Sequence, residues 1–182
     1  MLGTSWGGML VPRVAHARPG RLAGLIMTNA TAEAPDLKTK LMAKLLTVML
    51  RISTIDTMVD TMLLSMQLRE RTRAEHPDIG RTYAARIRFY QRKPFIQAAD
   101  SVLVRRDSFL DKLHQVTTAA LVLSGADDTI LPTAMNRRIA DRMPNAEAIE
   151  IEGAAHLVPV ERPDRMNALM LDRMNRWIED QQ

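Results

Sequence analysis

A serine flanked by glycines stands near the start of the chain, in the sequence G-T-S-W-G of residues 3–7. A G-x-S-x-G pattern is typical of a sharp turn from a strand into a helix, with the serine hydroxyl exposed at its apex. Gly3 and Gly7 lack Cβ atoms, so we expect strand and helix to approach closely there. The backbone N–H of Trp6 would then point toward an oxyanion formed when Ser5 attacks a carbonyl carbon.

Two later segments supply an acid and a base. Residues 122–128 are an apolar run that ends in a glycine and two aspartates, and residues 151–156 are a strand-like run that ends in His156. A histidine can remove the proton of a serine hydroxyl near neutral pH, and an aspartate can hold the imidazole in the required tautomer. The sequence therefore predicts a triad of Ser5, His156 and one of the two aspartates.

These three segments, in this order, resemble the motifs of the α/β-hydrolase family. Residues 3–8 resemble its nucleophile elbow, residues 125–128 with Pro132 resemble its acid turn, and residues 153–156 with the Glu-Arg-Pro of 161–163 resemble its histidine loop. The resemblance implies an α/β fold, with a parallel sheet flanked by helices and an inserted all-helical cap. It also implies catalysis through an acyl-serine.

The choice between the two aspartates depends on strand geometry and on the family spacing. Adjacent side chains of a strand point in opposite directions, so only one of Asp127 and Asp128 can face the histidine. The spacing of the family selects Asp128 and leaves Asp127 facing solvent or capping a loop. Glu33, which follows an earlier strand, is a distant fallback acid. The predicted triad is thus Ser5, Asp128 and His156.

Helix and strand patterns divide the chain into an α/β part and a helical part. Apolar runs such as residues 119–124 and 146–151 are typical of buried parallel strands. Residues 36–115 instead carry apolar side chains at helical spacing, and the resemblance identifies them as the cap that walls a substrate pocket. We expect a hydrolase core of residues 1–35 and 116–182, and a helical cap of residues 36–115.

Composition and charge restrict the possible partners. The fractions of 46% hydrophobic and 25% charged residues are those of a globular protein, and no run of 18 apolar residues predicts a membrane span. The basic run at residues 69–73 is short, mixed in charge and without interleaved aromatics, which does not favour nucleic acid. We expect neither a nucleic-acid nor a membrane partner, and a cytoplasmic location.

No cofactor or metal is predicted. The chain has no cysteine, and its four histidines do not cluster with carboxylates at the spacing of metal ligands. The phosphate-binding G-x-x-x-x-G-K pattern and the dinucleotide-binding G-x-G-x-x-G pattern are also missing from the sequence.

The predicted function is hydrolysis of a small-molecule ester or related carbonyl substrate through an acyl-serine. Serine at the elbow argues against dehalogenases and epoxide hydrolases, whose nucleophile resembles an aspartate. Carboxylesterases, enol-lactonases, carbon–carbon-bond hydrolases and proline iminopeptidases remain open, as does an acyltransferase. An apolar portion of the substrate is expected if methionines of the helical part line a pliable pocket, although such residues are also common on buried helix faces. They are Met42, Met49, Met58, Met62 and Met66.

A second hypothesis is that the chain has no catalytic activity. Only Met1 and Leu2 precede Gly3. In the family, the preceding half supplies several strands and a second oxyanion N–H. We therefore expect the C-terminal part of a hydrolase with an exposed central strand. The alternative function is an inactive truncated fragment or a hydrolase-fold binding module.

Overall fold

The structure, a computed structural model, describes residues 1–52, 64–89 and 92–179. It contains two compact units. One consists of Met1–Ala32 and Phe109–Gln182, and the other consists of Glu33–Ser108. In chain order the described elements are β1 (Leu2–Thr4), α1 (Trp6–Ala17), β2 (Leu25–Thr28), α2 (Leu37–Ile52), α3 (Glu70–Glu75), α4 (Pro77–Phe89), α5 (Arg92–Leu103), a 3-10 helix (Leu110–Gln115), β3 (Ala120–Gly125), α6 (Thr133–Ala140), β4 (Ala146–Ile151), α7 (Val158–Glu161) and α8 (Pro163–Glu179).

The first unit is built on a four-stranded parallel sheet of order β1-β2-β3-β4. Every residue of β2 and β3 is buried. Such apolar strands are typical of parallel sheets covered by helices on both faces. The register pairs Thr4 with Thr28, Thr28 with Leu123, and Gly125 with Ile151, so the four strands end along one edge of the sheet. The α/β fold class predicted from the motifs is confirmed.

Alternating side chains of the strands form two hydrophobic clusters on opposite faces of the sheet. Leu25 and Met27 of β2 belong to one cluster with Val11 of α1, whereas Ile26 belongs to the other with Met166 of α8. The two clusters hold the helices against the sheet. By packing on both faces of the sheet, they hold the four strands so that all of them end along the same edge.

The domain boundaries predicted from the sequence differ from the two units by a few residues. The sequence assigned residues 36–115 to the helical part, whereas the second unit is Glu33–Ser108. Residues 109–115 belong to the first unit because Phe109 and Leu113 are buried in its core. The proposed function of the second unit as a cap remains a prediction.

All the regular elements described in the second unit are helices, with α2 packed on α5 and α3 packed on α4. The guanidinium of Arg106 joins its two ends, because Nε and Nη2 donate to the carbonyl of Glu33 at 3.0 and 2.8 Å. Nη1 donates to the carbonyl of Val102 at 2.8 Å. None of the helices in the described ranges is long and apolar enough to cross a membrane.

The methionine hypothesis concerns side chains of the second unit. Met42 and Met66 are 59% and 49% exposed, so neither belongs to a buried helix face. Met58 and Met62 lie outside the described residues, as does the side chain of Met49. An apolar pocket lined by these residues therefore stays a prediction.

Candidate active site

Ser5 occupies the single-residue turn between β1 and α1. Its backbone has φ 52° and ψ −115°, in a region that residues other than glycine seldom adopt. The turn is held by the Ser5 N–H, which donates to the carbonyl of Thr28 at 2.9 Å, and by the Met9 N–H, which donates to the carbonyl of Ser5 at 3.0 Å. These bonds fix the serine hydroxyl at the carboxyl edge of the sheet.

The glycines around this turn do not contribute equally. A Cβ on Gly3 would overlap the backbone of Gly7, and one on Gly8 would lie 2.7 Å from the Cβ of Ala30. A Cβ on Gly7 would meet nothing within 4 Å. Strand and helix approach closely at Gly3 and Gly7 as predicted, but the missing Cβ of Gly7 does not contribute to this approach. Gly3 and Gly8 permit the close approach of strand and helix.

His156 lies in the loop between β4 and α7 and bonds both predicted partners. Its Nδ1 is 2.8 Å from Oδ2 of Asp128, and its Nε2 is 2.9 Å from Oγ of Ser5. Because an ionised carboxylate only accepts hydrogen bonds, Nδ1–H donates to Asp128. Nε2 then carries the lone pair that accepts the Ser5 hydroxyl proton. The structure thus brings together the three side chains that the sequence singled out.

The carboxylate of Asp128 is buried and receives hydrogen bonds on both oxygens. Oδ1 accepts from the N–H groups of Ile130 and Leu131, at 2.8 and 3.0 Å, and Oδ2 accepts from Nδ2 of Asn29 at 2.7 Å. Burial by itself raises the pKa of Asp128. The hydrogen bond and charge of His156, with the bonds from Leu131 and Asn29, outweigh burial and hold that pKa below its usual range. Asp128 is therefore an ionised partner for the imidazole.

The neighbouring aspartate is placed differently. Asp127 is exposed, and its backbone N–H donates to the carbonyl of Ala154 at 2.9 Å. His156 is bonded to the carboxylate of Asp128, so the proposed triad does not require Glu33 as its acid. The aspartate that contacts His156 is thus the one that the family spacing selects, and its role as the catalytic acid remains a proposal.

The loop that carries His156 is held by groups from the motif at residues 161–163. Gly153 has φ 69°, a left-handed conformation that favours glycine, and a Cβ there would overlap the guanidinium of Arg162. Oε2 of the buried Glu161 accepts the N–H of Ala155 at 2.5 Å. These contacts fix the backbone immediately before the histidine.

Asn29 is the residue of this site that sequence reasoning missed. Asn29 is completely buried, and its Nδ2 lies 2.7 Å from Oδ2 of Asp128 and 3.2 Å from the carbonyl of Ala155. An available signal was a lone amide side chain directly after the apolar run that forms β2. At that position it must lie at the carboxyl edge of the sheet, beside the loop that follows β3.

Trp6 is the first residue of α1 and follows Ser5 directly. Its backbone N–H lies at the positive end of the helix dipole, where negative charge is stabilised. This position is compatible with the predicted donation to an oxyanion on the carbonyl attacked by Ser5. That donation remains a proposal.

Comparison with known proteins extends the resemblance to most of the chain. Residues 1–163 match the family described as "Serine aminopeptidase, S33". The solved structure of a thermophilic esterase from Thermogutta terrifontis superposes with a TM-score of 0.85 at 23% identity, covering 97% of this chain and 64% of that one. The enol-lactonase from Burkholderia xenovorans superposes with a TM-score of 0.83 at 18% identity, covering 96% and 64%.

A curated sequence relative covers a shorter region. The Mycobacterium tuberculosis protein named "Putative non-heme bromoperoxidase BpoC" is 36% identical over 62 residues, which are 34% of this chain and 24% of that protein. The chain thus spans about two thirds of the two solved structures and a quarter of this relative. Because the family match covers residues 1–163 and so includes all three motif segments, the chain belongs to the α/β-hydrolases, in the serine aminopeptidase S33 family.

Proposed function

We propose that this chain is a serine hydrolase that cleaves carboxylic esters or related carbonyl compounds through an acyl-serine intermediate. The observation that carries the proposal is the pair of hydrogen bonds made by His156, to Ser5 at 2.9 Å and to Asp128 at 2.8 Å. A serine hydroxyl is a weak nucleophile until a base removes its proton, and this arrangement supplies the base and its orienting carboxylate.

The reaction proceeds in two halves. Nε2 of His156 takes the proton from Oγ of Ser5 while Oγ forms a bond to the carbonyl carbon, and Asp128 stabilises the imidazolium that results. The carbonyl oxygen becomes an oxyanion that accepts a hydrogen bond from the Trp6 N–H. The tetrahedral intermediate then breaks its bond to the leaving alcohol, and His156 returns the proton to that alcohol.

The second half regenerates the serine. A water molecule attacks the acyl-serine carbonyl carbon while His156 removes one of its protons. The bond between the acyl group and Oγ of Ser5 then breaks, Oγ recovers the proton from the imidazolium, and a carboxylic acid is released. An alcohol in place of water would make the same chain an acyltransferase.

The proposed substrate class is supported by the names of the two structural neighbours, an esterase and an enol-lactonase. An aminopeptidase, as the family description names, would use the same steps, with His156 protonating an amine leaving group instead. We place esters first because both named neighbours act on that class. An apolar portion of the substrate remains part of the proposal.

The proposal is tested by treating the purified chain with an alkyl fluorophosphonate and measuring its intact mass. Ser5 displaces fluoride from phosphorus and forms a stable phosphonyl-serine. We expect one adduct on the unmutated chain and none on Ser5→Ala or His156→Ala, while Asp127→Asn serves as a matched control that is still labelled. An adduct that persists in Ser5→Ala would overturn the assignment of the nucleophile.

The same experiment tests the alternative that the chain has the hydrolase fold but no catalytic activity. A chain that is folded by circular dichroism but remains unlabelled after prolonged treatment would contradict a working nucleophile. The binding-module alternative would then be the better description. Labelling followed by turnover of a p-nitrophenyl ester supports the hydrolase.

A further inference from the structure

We infer that Asn29 is a positioning residue that couples the loop of the catalytic acid to the loop of the catalytic base. The inference rests on the proposed function, since it concerns the same triad. It assigns to the amide of Asn29 two simultaneous contacts, one with the carboxylate of Asp128 and one with the backbone carbonyl of Ala155, next to His156. Asn29 lies 99 positions before Asp128 and 126 before Ala155.

The orientation of the amide is determined by its partners. Nδ2 faces two acceptors, Oδ2 of Asp128 at 2.7 Å and the carbonyl oxygen of Ala155 at 3.2 Å. If the amide were reversed, its oxygen would lie against both of them, which is repulsive. Nδ2 therefore donates one hydrogen bond to the carboxylate of Asp128 and one to the carbonyl of Ala155. The planar amide of Asn29 thereby sets the distance between the loop of Asp128 and the loop of His156.

Two features of Asn29 are unfavourable for stability alone. Its φ of 48° lies in the left-handed region, and its Oδ1 is buried without a hydrogen-bond partner among the described residues. A buried carbonyl without a partner and a left-handed residue each cost free energy. The bonds of Nδ2 are the compensating interactions. This combination indicates that the role of Asn29 is to position Asp128 and the loop of His156, and not to stabilise the fold alone.

The backbone around Asn29 is held in place independently of its side chain. Its own N–H continues the sheet by donating to the carbonyl of Leu123 at 2.9 Å. The next N–H, of Ala30, donates at 2.9 Å to Oδ1 of Asn136, which is also completely buried. Substitutions at Asn29 can therefore remove the amide contacts while the backbone bonds remain.

The hydrogen bond between Asn29 and Asp128 also affects how strongly the Asp128 carboxylate stabilises a positive charge on His156. Oδ2 of Asp128 is shared between Asn29 and His156. Removing the neutral donor leaves that oxygen to the imidazole alone, which stabilises the imidazolium. An aspartic acid at position 29 would lie against the Asp128 carboxylate, so one of the two would hold a proton and donate it to the other, which would keep a neutral donor on Oδ2. The titratable groups that contact this cluster are Asp128, His156 and, across the Ala155 peptide, Glu161.

The test compares Asn29→Asp with Asn29→Gly. Aspartate keeps the size of the side chain and tolerates left-handed backbone, whereas glycine removes the side chain without adding backbone strain. Asn29→Gly should label with fluorophosphonate about 10- to 100-fold more slowly than the unmutated chain at pH 7, as expected for lost bonds to a charged group, whereas Asn29→Asp should keep more of the rate because it keeps a donor to Asp128. The acid limb of the labelling rate should move to higher pH in Asn29→Gly and less in Asn29→Asp.

A second measurement does not need activity. In the Ser5→Ala background, the His156 imidazole is titrated by NMR with aspartate, glycine or asparagine at position 29. We expect the imidazole to titrate at higher pH with glycine than with asparagine, and the change with aspartate to be smaller. Asn136→Ala is the matched control, because Asn136 is equally buried but bonds to the backbone of Ala30 and Leu131. It should lower the melting temperature and leave the His156 titration unchanged.

The outcomes separate the two proposals. If the unmutated chain is not labelled, the proposed function fails, and the His156 titration still decides the position of Asn29. If His156 titrates identically with asparagine, aspartate and glycine at position 29 in folded proteins, the inference is overturned. Shifts of equal size in Asn136→Ala would also overturn it, since they would reflect a general loosening.

Discussion

Nε2 of His156 lies 2.9 Å from Oγ of Ser5 although 151 positions separate the two residues. The parallel sheet produces this closeness, because β1 and β4 end at the same edge of one sheet. Ser5 follows β1 directly, and the loop after β4 reaches back along the edge past Gly125. A Cβ on Gly125 would overlap the carbonyls of Ala154 and Ala155, so strand and loop are in direct contact. The site therefore depends on the packing of this edge.

The first prediction concerns the acid. Asp128→Asn should reduce kcat for ester hydrolysis by about 10⁴-fold, because the amide favours the wrong tautomer of His156. Asp127→Asn should retain near-normal activity, since Asp127 is exposed. Steady-state hydrolysis of a p-nitrophenyl ester measures both. The reverse pattern, with Asp127 sensitive and Asp128 tolerant, would contradict the assignment.

The second prediction concerns pH and stability. The native pKa of Asp128 is below the ordinary value of about 3.9, so the unfolded state binds its proton more readily than the native state. The stability that this group contributes is complete above about pH 5 and is lost as the pH falls through 3.9 toward the native pKa. The difference in melting temperature between the unmutated chain and Asp128→Asn should therefore shrink on acidification.

The control for this prediction is Asp36, whose pKa is also lowered, chiefly by its hydrogen bonds with Thr39. The Thr39 N–H donates to Oδ1 of Asp36 at 2.7 Å in exposed surroundings. Asp36→Asn should give a much smaller pH-dependent difference, because solvent screens the group. Melting curves recorded across the acid range decide the matter. A difference for Asp128→Asn that stays constant with pH would contradict the prediction.

The third prediction separates the glycines of the nucleophile turn. Gly3→Ala should destabilise the chain by about 1 to 3 kcal/mol or prevent folding, since its Cβ would overlap the backbone of Gly7. Gly7→Ala should be neutral or slightly stabilising, because it lies in α1 and its Cβ would meet open space. Urea unfolding gives both free energies. Equal destabilisation by the two substitutions would refute the observed difference in packing.

The fourth prediction concerns the support of the histidine loop. Glu161→Ala should reduce the free energy of unfolding by about 1 to 3 kcal/mol, because the buried N–H of Ala155 loses its acceptor. Glu161→Gln keeps an oxygen that can accept this hydrogen and should have a smaller effect. Chemical denaturation and fluorophosphonate labelling measure stability and activity in parallel. If the glutamine variant were as damaged as the alanine variant, the carboxylate charge would matter more than the hydrogen bond.

Much of the fold was determined by local sequence patterns. The predicted bounds of β4 agree with the structure, because the run of residues typical of a strand is a property of neighbouring residues. The order of Ser5, the aspartates and His156 along the chain was sufficient to predict the family. This order reflects the order of the strands themselves.

Other features were decided only by the tertiary structure. The contact of Asn29 with Asp128, the open space beside Gly7 and the burial of Phe109 in the first unit all involve residues far apart in the chain. Local periodicity does not specify such pairs, because they depend on strand register and on which loops meet at the edge of the sheet. The sequence by itself determined which residues could do the chemistry. The assembled sheet decided which of their neighbours hold them in place.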